Sequence, residues 1–157
     1  MQHRMKTHPL TEEQIGHLFS RSLTGSLATL NGDGSPYVTP VHFIYHDGFI
    51  CFHGLPKGQK IDNIKADPRV SMTVYEMDSL MLDPQEKPCD TNTKYQSVII
   101  SGTASLIDNI EDKEMILLEI VKKYTPQLAG NPIPEKMIKG TAVIRIQIGD
   151  ITGKFYG

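Results

Sequence analysis

Apolar positions along the chain change period several times, and each change marks an element. Ile15, Leu18, Phe19 and Leu23 recur at helical spacing behind Thr11-Glu-Glu-Gln14. A hydroxyl at the N-cap and a Gln three residues on can satisfy each other's free amides. Residues 11–23 therefore predict a short amphipathic helix, stopped by Gly25. Residues 26–30, 36–45 and 49–53 then read differently: short, β-branched or aromatic, and separated by Asn31-Gly-Asp-Gly34 and His46-Asp-Gly48. Asn-Gly and Asp-Gly suit the two positive-φ positions of a type I′ turn, so three strands in an antiparallel meander are predicted.

Helical period returns over residues 58–67, where Ile61 and Ile64 are apolar and Pro68 ends the run. Residues 69–76 predict a fourth strand. Residues 77–93, with Pro84, Pro88 and many polar side chains, predict a long exposed loop. Alternation over 94–107 predicts a long fifth strand with a bend or bulge at Gly102. Met115, Leu118 and Val121 share one face of a predicted helix at 110–124, and a Pro/Gly-rich connector covers 125–134. Ala142, Ile144, Ile146 and Ile148 alternate in a last strand, 141–148, that continues toward Lys154. Six strands, few helices and mostly tight turns predict a mainly β (α+β) fold: a six-stranded antiparallel barrel with peripheral helices. No repeat divides the chain, and its length suits one domain over 1–157.

Composition narrows the partners. The chain has 157 residues and a formal net charge of -2, with both signs scattered along it. Nucleic acid or an anionic membrane would call for clustered Lys and Arg, so neither is expected. Two cysteines, Cys51 and Cys89, form no CxxC pair, which points to a reducing cytoplasm rather than a disulfide framework. Cys51 alternates within a strand and reads as core. No apolar run follows the basic start of the chain, so no signal peptide is expected there. No stretch of about 20 apolar residues offers a membrane span.

The familiar nucleotide, metalloprotease and hydrolase motifs are missing, and the histidines are not in ligand spacing, so no metal site is expected. The most suggestive segment is Phe52-His-Gly-Leu-Pro-Lys-Gly-Gln-Lys60. It carries a strand into a helix through two glycines, with Lys57 and Lys60 flanking the helix start. Free amides and the positive dipole end there can receive a phosphate. The segment reads equally well as a solvated loop with lysines for solubility. Pro40 interrupts a strand and marks an edge or a bulge. A bulge would free backbone groups for a flat heterocycle, whereas an edge proline would only guard against aggregation.

Several segments, in order, carry a resemblance. They are Leu27-Ala-Thr, Gly34-Ser-Pro-Tyr-Val-Thr-Pro-Val-His-Phe43, Ile50-Cys-Phe-His-Gly54, Gly58-Gln-Lys60 and Asn63-Ile-Lys-Ala-Asp-Pro-Arg-Val70. Tyr95-Gln-Ser-Val-Ile-Ile-Ser-Gly102 and Ile151-Thr-Gly-Lys154 complete the set. Together they resemble the pyridoxamine 5'-phosphate oxidase-like FMN-binding split barrels, and among these the subfamily that includes 5-nitroimidazole resistance proteins. The resemblance implies FMN as cofactor, a homodimer with the flavin between subunits, and a small electron-poor substrate such as a nitroheterocycle. A flavin carrier, or a split barrel holding haem or a deazaflavin, are the alternatives.

The resemblance also implies roles. Thr39, Pro40, Val41 and His42 would run past the isoalloxazine ring, and His53 and Gly54 would approach the ribityl phosphate. Gln59 and Lys60 match the pair that holds the phosphate. Ser97 falls where oxidase members carry a flavin-contacting Gln from the second subunit. Lys154 closes a segment that in relatives approaches the cofactor. The C-terminal arginine-containing substrate motif of the oxidases has no counterpart here, which argues against pyridoxamine phosphate as substrate. No residue reads as a general acid or base, and a flavin would carry the redox chemistry itself.

Overall fold

A computed structural model describes residues 3–157. Met1 and Gln2, at the start of the segment scanned for a leader, lie outside it. Seven strands form one antiparallel sheet: β1 (Thr24–Leu30), β2 (Pro36–His42), β3 (Ile44–His46), β4 (Phe49–Gly54), β5 (Arg69–Met81), β6 (Asn92–Leu106) and β7 (Ala142–Tyr156). Their order is β2-β1-β5-β6-β7-β4-β3, and the sheet curls until β2 meets β4. The helices are α1 (His3–Thr7), α2 (Glu12–Arg21), α3 (Gln59–Ala66), α4 (Ile110–Tyr124) and α5 (Glu135–Gly140). The architecture is the mainly β split barrel expected, with one strand more. No helix among the described residues is long and apolar enough to cross a membrane.

The extra strand comes from a break at Phe43, inside the segment predicted as one strand. The Tyr124 hydroxyl accepts from the Phe43 N–H at 2.8 Å, and its proton faces the carbonyls of Phe43 at 2.7 Å and Leu23 at 2.8 Å. Lys123 Nζ also donates to the Phe43 carbonyl, at 2.9 Å. With both backbone groups of Phe43 committed to side chains of α4, the ladder lapses for one residue.

Local signals mostly held. Thr11 and Gln14 form the expected capping box at α2. Asp47 and Gly48 both have positive φ, 48° and 83°, as a type I′ turn between β3 and β4 requires. The Asn31–Gly34 turn differs, because five residues rather than two separate β1 from β2. Only Gly34 there has positive φ, and its N–H closes onto the Asn31 carbonyl at 2.8 Å. Gly102 sits at a register shift between β6 and β7, and a Cβ on it would lie 2.3 Å from the Gln147 carbonyl oxygen. Gly25, expected to stop α2, instead pairs with Val41 inside β1. A Cβ there would meet Met72 Cε at 2.2 Å, so it serves close packing.

The long loop expected over 77–93 is shorter. Cross-strand pairing carries β5 to Met81 and starts β6 at Asn92, past a bulge between Met77 and Ser79. Polar side chains on an exposed hairpin hide such strands, because they show no buried face. One core fills the inside of the curl, with Phe19, Phe43, Phe52, Leu27, Ile61 and Met72 at its centre. A second lies between the other face of β4 and helices α4 and α5, around Cys51, Ile116, Ile120 and Val143. Cys51 is 1% exposed, and burial pushes its thiol up to about 11, so it is core as expected and no nucleophile at neutral pH.

Candidate functional site

The site forms where β4 ends and α3 begins. β4 holds its register against β7 through His53↔Val143 and Gly54↔Ala142. The chain then turns into α3 through Gly58, whose φ of 125° is a conformation other residues avoid. Gly58 brings no side-chain cap, so the first amides of α3 keep their capacity for an acceptor from outside. Lys60, in the first turn, reaches back over the strand end. A Cβ on Gly54 would lie 3.7 Å from both Cε and Nζ of Lys60, and Nζ stands 6.0 Å from the Phe52 ring centre. Lys57 stays exposed in the loop before Gly58.

His42, at the end of β2, completes this corner. Its ring lies 5.2 Å from that of Tyr124. Desolvation is the first cause holding the His53 pKa below its ordinary value. The charges of His42 and Lys60 act in the same direction. None of these three bases makes an ion pair among the described residues. A corner with helix amides and bases that no ion pair compensates among the described residues favours an anion.

Thr39, Pro40 and Val41 lead up to His42 along β2, a sheet edge. The register from Leu30↔Pro36 to Thr24↔His42 is unbroken, so Pro40 marks an edge and not a bulge. Gln59 stands beside Lys60, and its Nε2 donates to Asn63 Oδ1 at 2.8 Å. Asn63, 3% exposed, in turn donates to Thr29 Oγ1 at 3.0 Å and Asn31 Oδ1 at 2.9 Å.

Ser97 and Lys154 are not part of this corner. They face each other across β6 and β7. From Val143, opposite His53, to Lys154, β7 runs on for roughly 35 Å of strand. Ser97 is 7% exposed, and its buried Oγ has no hydrogen-bond partner among the described residues. Tyr75, across β5, and Tyr95 stack loosely beside it at 5.8 Å, and Lys154 Nζ lies 5.8 Å from the Tyr95 ring centre. Sequence reasoning missed Asn63 and Tyr124. Asn63 did leave a signal, a polar side chain set between Ile61 and Ile64 in a helix. Tyr124 left none.

The shift at His53 makes a direct prediction. Its imidazole should titrate below about 6.5 in NMR, and Lys60→Ala should raise that value. Because the folded value lies below the unfolded one, the protein loses stability as pH falls from about 6.5 toward the folded value. An unmoved His53 titration in Lys60→Ala would dissolve the grouping.

Comparison with known proteins gives the same picture of the fold. A candidate 5-nitroimidazole antibiotic resistance protein from Bacteroides thetaiotaomicron superposes with a TM-score of 0.80 at 20% identity, covering 94% of this chain and 86% of that one. A flavocytochrome from Azotobacter vinelandii gives 0.81 at 21% identity, with 94% and 68% covered. An FAD- and haem-binding protein from Mycobacterium smegmatis gives 0.83 at 17% identity, with 92% and 71% covered. No curated protein matches the chain. The profile of the pyridoxamine 5'-phosphate oxidase family, however, matches residues 11–155, nearly the whole sequence. The chain belongs to the pyridoxamine 5'-phosphate oxidase family.

Proposed function

We propose that this protein binds FMN as a homodimer and, with electrons from a nicotinamide or protein donor, reduces a small electron-poor substrate, such as a nitroheterocycle. The reading is carried by the corner where His42, His53, Gly54 and Lys60 meet the uncapped start of α3. A phosphate monoester suits it: the helix amides, Gln59 and Lys60 donate, and among the described residues no carboxylate opposes them by an ion pair. Thr39 to His42 border the flat part of the cofactor along the β2 edge. FMN, when bound, supplies the electron transfer, and the protein's part is to hold and orient it.

Ser97 and Lys154 bear on the dimer. Their distance from the phosphate corner within one chain suggests that they serve the site of a second copy. The orphaned Ser97 hydroxyl fits that use, since buried polar groups normally find a partner. Tyr75 and Val38 stand exposed on the same outward wall of the sheet, as apolar area that a symmetric partner would cover. That a flavocytochrome and an FAD- and haem-binding protein share the fold supports a flavin as the ligand. The nitroimidazole substrate class rests on the resistance protein alone.

Light scattering with absorbance detection should show about twice the monomer mass, as a two-fold dimer requires. The protein should be yellow and release a compound that runs with FMN. Anaerobic photoreduction followed by a nitroimidazole should reoxidise the flavin faster than buffer does. A Soret band with no recoverable flavin overturns the cofactor. A monomer that binds FMN tightly overturns the dimer, and reoxidation at the buffer rate leaves a carrier.

A further inference from the structure

Gln59 stands at the end of a hydrogen-bonded series that begins in the turn between β1 and β2. Oxygen and nitrogen of an amide are told apart by their partners. Here one partner admits only one assignment. Asp33 is acceptor-only when ionised, and hydrogen bonds from Ser35 hold its carboxyl below the usual range. The Ser35 hydroxyl therefore gives its proton to Asp33 Oδ1, at 2.6 Å. Having given it, Ser35 Oγ can only accept, and it does so from Asn31 Nδ2 at 3.0 Å.

That turns Asn31 Oδ1 toward α3, where it accepts from Asn63 Nδ2. The second Nδ2 proton of Asn63 goes to Thr29 Oγ1. With both donors spent, Asn63 presents Oδ1 to Gln59, which must answer with Nε2. Each amide's orientation follows from the one before it. One N–H of Gln59 remains uncommitted, next to Lys60 in the first turn of α3.

We infer that Asp33, Ser35, Asn31 and Asn63 are positioning residues that hold Gln59 by its Nε2, leaving its second N–H to donate to a phosphate monoester. The inference rests on the FMN reading above and adds to it the source of Gln59's orientation. A reversed Gln59 amide would set its carbonyl oxygen against Asn63 Oδ1, two acceptors with no proton between them, so the series holds the side chain in one orientation. The β1–β2 turn thus tunes discrimination between FMN and riboflavin without touching either ligand.

Asn63 is buried, and its removal endangers the fold, so the test uses Asn31, half-buried in the turn. FMN and riboflavin are titrated against wild type, Asn31→Ala, Gln59→Ala, the double variant and Lys60→Ala. Gln59→Ala should weaken FMN about tenfold, the scale of one hydrogen bond to a charged group, and Asn31→Ala at least about threefold. Riboflavin affinity should stay level throughout. Because Asn31 acts through Gln59, the double variant should match Gln59→Ala alone. Additive losses, equal losses for riboflavin, or wild-type FMN affinity in Asn31→Ala overturn the inference. If Lys60→Ala weakens FMN in those cases, the phosphate reading survives without it. If Lys60→Ala changes nothing, or no FMN binds, that reading falls and the inference with it.

Discussion

Lys60→Ala should weaken FMN binding by about one to two orders of magnitude while leaving riboflavin nearly unaffected. A charge-assisted hydrogen bond contributes about 1.5–3 kcal/mol, which spans that loss. Lys60 suits the task because it is half-buried and folded over Gly54, where solvent screens its charge less than at an open surface. Lys57 is the control, with the same charge three residues away but exposed before Gly58. Riboflavin lacks the phosphate, so it separates loss of charge from loss of fold. If Lys57→Ala proved the damaging change and Lys60→Ala the silent one, the register of the phosphate loop would be misplaced.

Gly102→Ala should cost about 3 kcal/mol of stability, the upper end of what overpacking usually takes. Its new Cβ would sit 2.3 Å from a backbone carbonyl oxygen and 3.0 Å from Ile146 Cγ2. A flexible side chain could move aside, but the Gln147 backbone belongs to β7 and is held in the sheet. Gly16→Ala should act in the opposite direction. Gly16 lies inside α2 with nothing within 4 Å of a new Cβ, so alanine should add roughly 0.5–1 kcal/mol. Urea denaturation reads both as shifts in midpoint at constant slope. A neutral Gly102→Ala would mean that the register shift relaxes far more easily than its contacts imply.

Part of the candidate site was legible for a plain reason. The glycines and lysine of the segment from His53 to Lys60 lie within eight positions of one another, so spacing alone places them at one strand-to-helix junction. His42 joins them only because the sheet curls until β2 meets β4. The resemblance implied that Ser97 contacts the flavin from a second subunit and that Lys154 approaches it, and within one chain both lie apart from that set. Asn63 was passed over because a buried amide's worth depends on its partners, and those lie on β1 and in the following turn.

The same division runs through the fold. The capping box at Thr11, the Asp47-Gly48 turn, the core assignment of Cys51 and the bend at Gly102 were readable from the sequence. Each follows from backbone preference or burial period over a few neighbouring residues. The break at Phe43 was not readable, since Tyr124 causes it from 81 residues away. Gly25 looked like a helix stop until Met72 packed against it, and residues 77–81 looked like loop until β6 paired with them. Propensity carries no information about which distant side chain takes a given backbone group. Packing settles that, and it settles it only once the sheet has curled.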